Sequence, residues 1–477
     1  MDPPQLLPAR EQMAFTLGFH IILVPFGMAF TFFMLLANYR GLRHADAAAL
    51  LLARRWSHVA AVLFAVGAVS GTVLSFELGL LWPRLMGTYG SAFGIPFAIE
   101  GLFFFLEAIF IAVYIYGWDR LSGWAHFWTG VPVVVAGIGG TLSVVAANAW
   151  MNQPGGFTMR EGRVTGVQPL RVIFNGAFWY ESLHMLLAGY MVAGFLTAAV
   201  YAGGRLRRRA TPAAEPGDEP SRPGRTGQAE RMARLGLLIP LTVAAILTPL
   251  QIVVGDIAAR EVFHREPAKF AAIEGVPHTD THVPEVLGGL YSDGRLRFGI
   301  PIPSGASLLS GYSPATRIRG LDEIPPEVRP SDREITVVHL AFDAMVGAGT
   351  FLLLLSAWYA LAWWRRRDLP RTRWFARATV AGGVLSVVAL EAGWVVTEVG
   401  RQPWTVVGHL LTRDAVTRAG NVWLFFIAIL VLYAAVGATT VHVLRLLRHR
   451  WRERDAADVD VPYGPTHDES ADASEPA

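Results

Sequence analysis

Glu398 and Arg401 stand at the end of a long apolar run, in the segment GWVVTEVGRQPW. A carboxylate at membrane depth is costly and therefore often marks a functional site. Arg401 follows Glu398 by one helical turn, and Trp404 is typical of a membrane interface. Glu391 lies seven residues before Glu398, on roughly the same helical face. The segment alone fits two interpretations equally well: a functional acid, or an ion pair that only closes the end of a helix.

Potential metal ligands and acids recur at a similar depth in other predicted spans. At about 1.5 Å per residue, five helices place such a residue on the predicted outer side of the membrane. Taken singly, a membrane histidine is as often an interhelical contact, and a methionine is usually core filler. The shared depth instead favours a bundle that holds large cofactors. The residues are His20, Glu100, His184, Met345 (with Asp343 beside it) and Glu398, while Glu107 lies roughly 10 Å deeper than Glu100 on the same face.

These residue types suit haem chemistry. A low-spin haem that only passes electrons needs both axial positions filled, and histidine with methionine is a pairing that raises its potential. A haem that binds oxygen needs one strong protein ligand and an open position. Oxygen reduction consumes protons, and Glu100 and Glu107 fit a relay toward such a site. The chain contains no cysteine, which excludes disulfides, thiolate ligands, iron–sulfur clusters and covalently attached c-type haem.

The elements that must position these residues are predicted to be membrane helices. With 53% hydrophobic residues and a mean hydropathy of +0.38, the 477-residue chain is too apolar for a soluble protein. Nine apolar runs reach spanning length, which predicts an all-α polytopic membrane protein with nine transmembrane helices. The first run lacks a convincing cleavage site and is predicted to be retained. The runs cover about residues 14–37, 57–80, 95–117, 125–149, 178–202, 233–254, 335–364, 374–397 and 420–446.

Arginine placement predicts the orientation. Basic segments follow spans one, five, seven and nine, whereas the loop after span three carries only Arg120 beside Asp119. The N-terminus is therefore predicted outside and the C-terminus in the cytoplasm. The net charge of +3 reflects this bias and does not indicate nucleic-acid binding. The predicted organisation is helices one to five (1–202), a flexible cytoplasmic linker (203–232), helix six (233–254), a functional outer loop (255–334), helices seven to nine (335–446) and a disordered cytoplasmic tail (447–477).

Several motifs resemble subunit I of cytochrome bd-type quinol oxidases. They occur in that family's order from about residue 10 to 446, on the predicted helices. Each motif alone is weak, but seven in register make the resemblance specific. The outer loop is short, as in the short-loop branch of the family. The motifs are FTLGFHIILVPF around His20, FAIEGLFFFLE (97–107), NAWMNQPGGF (148–157), ESLHMLLAGY around His184, TPLQIVVGD (248–256) with EPAKFAAIEG (266–275), FDAMVG (342–347) and GWVVTEVGRQPW (393–404).

The resemblance implies a role for each candidate residue. It implies His184 and Met345 as axial ligands of a low-spin haem b. It implies His20 and Glu398 as ligands of two high-spin haems, and it leaves open which haem each serves. The other implied site residues are Glu100 and Glu107 on the proton path, Lys269 and Glu274 as quinol-interacting residues of the outer loop, Arg401 as a catalytic residue and Trp404 as a cofactor-binding residue.

Lys269 is the only lysine of the chain. A pair of Lys269 and Glu274 could take the proton from a quinol hydroxyl, and a surface ion pair is the alternative. The chain also departs from the best-known members of the family, which carry an arginine where Asp343 stands. A carboxylate beside a haem is expected to lower the potential of that haem.

The function implied by the resemblance is that of the haem-bearing catalytic subunit of a terminal respiratory oxidase. Such an enzyme oxidises quinol at the outer membrane face and reduces oxygen to water, with charge separation but no proton pump. The implied cofactors are two haem b groups, one low-spin and one high-spin, and haem d or a third haem b in its place. The implied partners in the bacterial cytoplasmic membrane are a second membrane subunit (subunit II of the oxidase) and a small single-helix subunit.

Two alternatives stay open from the sequence. One is a bd-like quinol oxidoreductase that lacks haem d or uses another acceptor, and Asp343 keeps this alternative open. The other is an ion transporter whose buried acids carry ions. A transporter predicts inverted repeats, of which no convincing one is present, and it leaves the histidine–methionine pair unexplained.

Overall fold

The computed structural model describes residues 3–210, 223–456 and 462–463. Within these residues the chain forms nine helices long and apolar enough to cross a membrane, which confirms the predicted all-α polytopic fold. Each corresponds to one of the nine apolar runs. They are α1 (Leu6–His44), α2 (Ala47–Leu81), α3 (Pro83–Gly117), α4 (Gly123–Asn152), α5 (Phe178–Ala210), α6 (Pro223–Arg265), α7 (Asp332–Arg366), α8 (Arg373–Gly400) and α9 (Val422–Ala456).

Small antiparallel sheets and short helices connect the membrane helices. The segment between α6 and α7, residues 266–331, is called the long loop here, and its side of the membrane is called the long-loop face. The opposite side is called the arginine face. The long loop contains the short helices Pro267–Glu274 and Gly305–Gly311. The strands pair as β1 (Thr158–Arg160) with β2 (Arg163–Thr165), β3 (Glu285–Leu287) with β6 (Ile300–Ile302), β4 (Leu290–Ser292) with β5 (Arg295–Arg297), and β7 (Trp404–Val406) with β8 (Leu410–Leu411).

A π-helical segment, Phe26–Phe30, interrupts α1 directly after Pro25. Proline removes a backbone donor and crowds the preceding turn, so a local widening of the helix at this point has a clear cause. Gly27 lies in the widened segment. A methyl group built on Gly27 would lie 3.3 Å from Oε1 of Glu107, so the segment brings the backbone of α1 against the acid on α3.

Two buried clusters hold the helices together. Lipid is as apolar as these side chains, so close packing rather than removal from water supplies the attraction between helices. The first cluster joins α1, α2, α3 and α4 to α5 and α6, and the second joins α5 to α8. They contain, among others, Met28, Phe33, Tyr114 and Val133 in the first, and Phe195, Leu241, Leu352 and Phe375 in the second.

The helices extend beyond the apolar runs that predicted them. α5 continues to Ala210 and α6 begins at Pro223, so the described part of the predicted linker is helical, and residues 211–222 lie outside the described residues. α6 also continues to Arg265, inside the predicted outer loop. α9 continues to Ala456, into the predicted tail, of which residues 457–461 and 464–477 lie outside the described residues. Alanine and arginine are strong helix formers, so these helices do not end where the apolar run ends.

Candidate functional site

A cavity of about 620 Å³ lies among α1, α2, α3, α4 and α8. Most of its wall is apolar. Five of the predicted site residues line it, although they come from three different helices and the turn after α8. They are His20, Glu100, Glu107, Glu398 and Arg401.

The imidazole of His20 bonds to a serine of the neighbouring helix. Nδ1 of His20 lies 2.9 Å from Oγ of Ser70 on α2. The Ser70 hydroxyl donates its single hydrogen to the carbonyl of Gly67 at 3.1 Å, so it accepts from the Nδ1–H of His20. Nε2 therefore carries the lone pair that a metal ligand needs. Gly71 gives the ring room, because a methyl group there would lie 3.0 Å from Cε1 of His20.

Glu398 accepts hydrogen bonds from two donors. Nδ2 of Asn148 on α4 donates to Oε1 at 2.5 Å, and Arg401 forms an ion pair with Oε2. Nε and Nη1 of Arg401 are buried and have no hydrogen-bond partner within the described residues. Guanidinium donors without a partner at a cavity wall suit a carboxylate or another anion. An ion pair that only closes the end of α8 leaves these donors unexplained.

Two acids lie along α3 at the cavity wall. Glu100 is half-buried, and Glu107 is buried seven residues further along the helix. Oε1 of Glu107 has no hydrogen-bond partner among the described residues. The two carboxyl groups thus follow one wall of the cavity, with Glu107 farther along α3 from the long-loop face than Glu100.

His184 and Met345 lie apart from this cavity, among α5 to α8. A methyl group on Gly255 of α6 would lie 3.3 Å from Cε1 of His184, and one on Gly393 of α8 would lie 3.2 Å from Sδ of Met345. Nε2 of Gln251 lies 3.2 Å from Nε2 of His184. Each predicted ligand therefore faces a glycine on a neighbouring helix, which keeps space open beside the donor atom.

One short helix of the long loop carries Lys269 and Glu274 but gives them different partners. Both side chains are buried, with 5% and 8% of their surface exposed, so the alternative of a surface ion pair is wrong. Nζ of Lys269 donates to Oδ1 of Asn152 at 2.9 Å and forms an ion pair with Glu266. Glu274 instead faces Glu285.

The pKa values of Glu274 and Glu266 are shifted in opposite directions. Burial raises the pKa of Glu274 well above its usual value, and the neighbouring carboxylate of Glu285 raises it further. Of Glu274 and Glu285, Glu274 is therefore the protonated one. Burial alone would also raise the pKa of Glu266, but the ammonium of Lys269 and hydrogen bonds from Gln153 and Tyr180 hold that pKa below its usual value.

Asp343 faces the long loop. Its Oδ2 accepts a hydrogen bond of 2.6 Å from the backbone nitrogen of Gly288 and lies 3.6 Å from Nε2 of His339. The side chain of Asp343 therefore ties the loop to α7, a role that the sequence did not indicate. Its position two residues before Met345 is unchanged by this contact.

Trp404 and Glu391 complete the residues singled out around Glu398. Trp404 is half-buried on β7 and is absent from the described wall of the cavity. Oε1 of Glu391 is buried without a hydrogen-bond partner among the described residues. A methyl group on Gly18 of α1 would lie 3.2 Å from the other carboxylate oxygen of Glu391.

Sequence reasoning missed the residues that hold the candidate ligands in place. Asn148 and Glu266 lie inside the motifs NAWMNQPGGF and EPAKFAAIEG, and these motifs were the available signal. Ser70 gave no signal, because a serine in an apolar helix usually bonds to its own backbone. Gln251 lies in TPLQIVVGD, where its contact with His184 depends on how α5 and α6 pack.

The family model of cytochrome bd terminal oxidase subunit I matches residues 8–450. The chain belongs to the cytochrome bd terminal oxidase subunit I family. The match runs from α1 into α9 and includes every predicted site residue. With nine apolar helices in the part of the chain that the structure describes, this member of the family is a multi-pass protein of the bacterial plasma membrane.

Curated relatives and a solved structure are similar along almost the whole chain. A Bacillus subtilis (strain 168) protein whose name refers to a cytochrome bd menaquinol oxidase is 30% identical over 444 residues, covering 92% of this chain and 95% of the relative. Cytochrome bd ubiquinol oxidase subunit 1 from the same organism is 29% identical over 485 residues, covering 97% of each. The structure of bd oxidase from Geobacillus thermodenitrificans superposes with a TM-score of 0.83 at 30% identity, covering 94% of this chain and 100% of that chain.

Membership of the cytochrome bd family implies haem cofactors, and the residues of this chain fit them. No group of three or more His, Asp or Glu residues that could hold a metal ion by itself occurs in the described part of the chain. A haem supplies four equatorial nitrogens of its own and asks the protein for only one or two axial donors. The free Nε2 of His20 offers one such donor. The unpartnered donors of Arg401 suit the carboxylates of a haem.

Proposed function

We propose that this chain is the haem-bearing catalytic subunit of a terminal oxidase that oxidises quinol and reduces oxygen to water. The observation that carries the proposal is the cavity that gathers His20, Glu398, Arg401 and the acids Glu100 and Glu107. Oxygen reduction at a bound haem needs an axial donor, groups that bind anions and groups that carry protons. The names of the curated relatives refer to ubiquinol and menaquinol oxidases, which supports quinol as the electron donor.

The proposed cofactors are two haem b groups, one low-spin and one high-spin, and haem d or a third haem b in its place. When bound, they supply one-electron transfer and an iron that takes up oxygen. His184 and Met345 would hold the low-spin haem, and His20 and Glu398 the two high-spin haems. Trp404 is proposed as a further cofactor-contacting residue.

Hydrogen bonds from neighbouring side chains orient two of these ligand residues, His20 and Glu398. Ser70 keeps the hydrogen of His20 on Nδ1, so Nε2 stays available. Asn148 and Arg401 hold Glu398 through both of its oxygens, which fixes the direction of the carboxylate. Such outer contacts commonly change metal affinity or activity by about 10–100-fold when they are removed.

Quinol oxidation is assigned to the long-loop face, with Lys269 and Glu274 as the acting residues. The raised pKa of Glu274 makes its ionised form a stronger base than an exposed glutamate, which suits acceptance of a proton from a quinol hydroxyl. In the resting pair Glu274 holds a proton, which it passes to Glu285 before its carboxylate accepts the proton of a quinol hydroxyl.

The proposal also assigns proton release and proton uptake to opposite faces of the membrane. Basic segments follow α1, α5, α7 and α9, so we assign the arginine face to the cytoplasm and the long-loop face to the outside. Quinol protons then leave outside, while protons for oxygen reduction come from the cytoplasm by way of Glu107 and Glu100. Charge separates across the membrane without a pump.

The proposed partners are a second membrane subunit and a small single-helix subunit. Leu102, Phe105 and Ile109 form an exposed apolar strip on α3 that fits either a partner helix or lipid.

Reduced-minus-oxidised absorption spectra of the purified complex test the proposal. Low-spin and high-spin haem bands are expected, and His184→Ala should remove the low-spin band. Met345→Leu should leave a haem with altered ligation and a lower potential. His58→Ala is the matched control, because His58 bonds to the carbonyl of Arg54 within α2, away from both sites. A preparation without haem bands, or unchanged spectra in both ligand variants, would refute the proposal.

A further inference from the structure

A tyrosine from the C-terminal segment occupies a pocket at the arginine face of the helix bundle. The ring of Tyr463 stacks on Trp118, at the end of α3, with ring centroids 5.4 Å apart and ring planes at 26°. Its hydroxyl is hydrogen-bonded to Nδ1 of His126 on α4. Pro462 is buried beside it. This contact connects residues that the sequence assigned to a disordered tail with the membrane bundle.

His126 uses both of its ring nitrogens in this pocket. Nε2 lies 2.6 Å from the backbone carbonyl of Tyr114. A carbonyl only accepts, so Nε2 carries the hydrogen and Nδ1 carries the lone pair. The hydroxyl of Tyr463 donates to that lone pair, and Nδ2 of Asn38 lies 3.5 Å from the same atom. While Tyr463 is bound, His126 therefore has no free position for a proton from water.

The pocket lies at the arginine-face end of the helix face that carries Glu107. Glu107, Ile111, Tyr114 and Trp118 are all buried, at spacings of four, three and four residues along α3. The ring centroid of His126 lies 4.1 Å from that of Tyr114 and 4.3 Å from that of Trp118. The charged groups that face the pocket are Arg54 of α2 and Asp119 after α3, which pair with each other at 2.7 Å.

We propose that Tyr463 is an intramolecular gate, which withholds His126 from cytoplasmic water and so limits proton uptake toward Glu107. The proposal rests on the proposed function, in which protons for oxygen reduction arrive from the arginine face. Release of Tyr463 frees Nδ1 of His126, the one ring position that can accept a proton. The ligand of the pocket is thus a segment of the same chain, recognised by aromatic stacking and one hydroxyl hydrogen bond.

The first test measures binding of the segment and needs neither haem nor quinol turnover. The intact complex is treated with diethylpyrocarbonate, and acylation of His126 is measured by peptide mass spectrometry, with the exposed His44 of α1 as internal reference. Tyr463→Ala should raise acylation of His126 by roughly tenfold, because a ring stack and a hydrogen bond are lost together. Tyr463→Phe, which keeps the stack, should give a smaller rise. Unchanged acylation in Tyr463→Ala would overturn the proposal.

The matched control is Tyr116→Ala. Tyr116 lies two residues from Tyr114 but is 68% exposed on the outer surface of α3. Its removal should leave the acylation of His126 at the wild-type level. An equal rise in Tyr116→Ala and Tyr463→Ala would show general loosening of α3 and would overturn the specific role of Tyr463.

The second test measures the gate itself. Quinol-driven oxygen consumption is compared at alkaline pH, where proton supply limits the rate. Tyr463→Ala should consume oxygen faster than wild type, with the same haem content. Turnover equal to or below that of wild type would overturn the gate, even where acylation shows that the segment binds. A preparation without haem, in which Tyr463→Ala still exposes His126, would refute the proposed oxidase function and leave the binding result intact.

Discussion

Lys269 and Glu274 lie on the same short helix of the long loop and bind different partners. Lys269 forms an ion pair with Glu266, whereas Glu274 faces Glu285. The two residues were expected to act as one proton-accepting pair. The long loop instead contains two separate pairs, one with opposite charges and one with two carboxyl groups.

Lys269→Ala is expected to destabilise the protein as well as to impair quinol oxidation. Without the ammonium, the carboxylate of Glu266 stays buried beside no positive charge, which costs about 3–5 kcal/mol. Thermal unfolding of the purified complex measures the first effect, and the KM for quinol measures the second. The double variant Lys269→Met with Glu266→Gln removes both charges and should recover most of the stability. A KM that stays raised in the double variant assigns Lys269 to quinol, and a KM that returns to the wild-type value assigns it to structure alone.

Glu285→Gln is expected to shift the pH dependence of quinol oxidation toward lower pH. Glu274 accepts a proton only in its ionised form, and burial together with the carboxylate of Glu285 raises its pKa. An amide in place of that carboxylate removes the repulsion, so the pKa of Glu274 falls and its ionised form appears at lower pH. The measurement is kcat/KM for quinol across pH at saturating oxygen. Glu327→Gln, at an exposed position of the same loop, is the control. A shift to higher pH would contradict the pairing of the two acids.

The membrane fold could be predicted because a transmembrane helix requires an apolar run of sufficient length, which is visible in the sequence. Each of the nine long helices in the described residues contains an apolar run that can be read directly from the sequence. Helix ends were less predictable, because the hydropathy of α5 and α9 falls while their helix propensity stays high. The cavity was partly predictable as well, since depth along each helix placed His20, Glu100 and Glu398 at one level.

Side-chain partners in the site could not be predicted in the same way. Helical spacing favours Glu266 over Glu274 as the partner of Lys269, but the bond from Lys269 to Asn152 depends on how the short helix meets the end of α4. Ser70 meets His20 only because α1 and α2 pack at a particular register. Tyr463 lies in a polar, acidic stretch whose composition predicts disorder, and one aromatic residue is too weak a signal against that background.

Ser70→Ala is expected to change the spectrum of a high-spin haem without changing the haem content of the complex. The Nδ1–H of His20 loses its acceptor, so the ring is held less firmly and Nε2 becomes a weaker donor. The net loss from one hydrogen bond is about 1 kcal/mol, too little to unfold the protein. Thr72→Ala is the control, because its hydroxyl is exposed and bonds to the carbonyl of Ala68 in its own helix. Identical spectra of Ser70→Ala and wild type would contradict the assignment of His20 as a ligand prepared by Ser70.

Glu107→Gln is expected to slow oxygen reduction by roughly 10²-fold, because glutamine keeps the size of the side chain but cannot release a proton. Rapid mixing of the fully reduced complex with oxygen separates the steps. Early electron transfer from the proposed low-spin haem would need no proton at that instant and should change less than the later steps. Glu77→Gln is the matched control, since Glu77 is a buried acid of α2 that bonds to Gln12 and is absent from the described cavity wall. Loss of a high-spin haem from Glu107→Gln would assign Glu107 to structure. Undiminished turnover with full haem content would exclude both roles and would also leave the Tyr463 gate without a proton path to control.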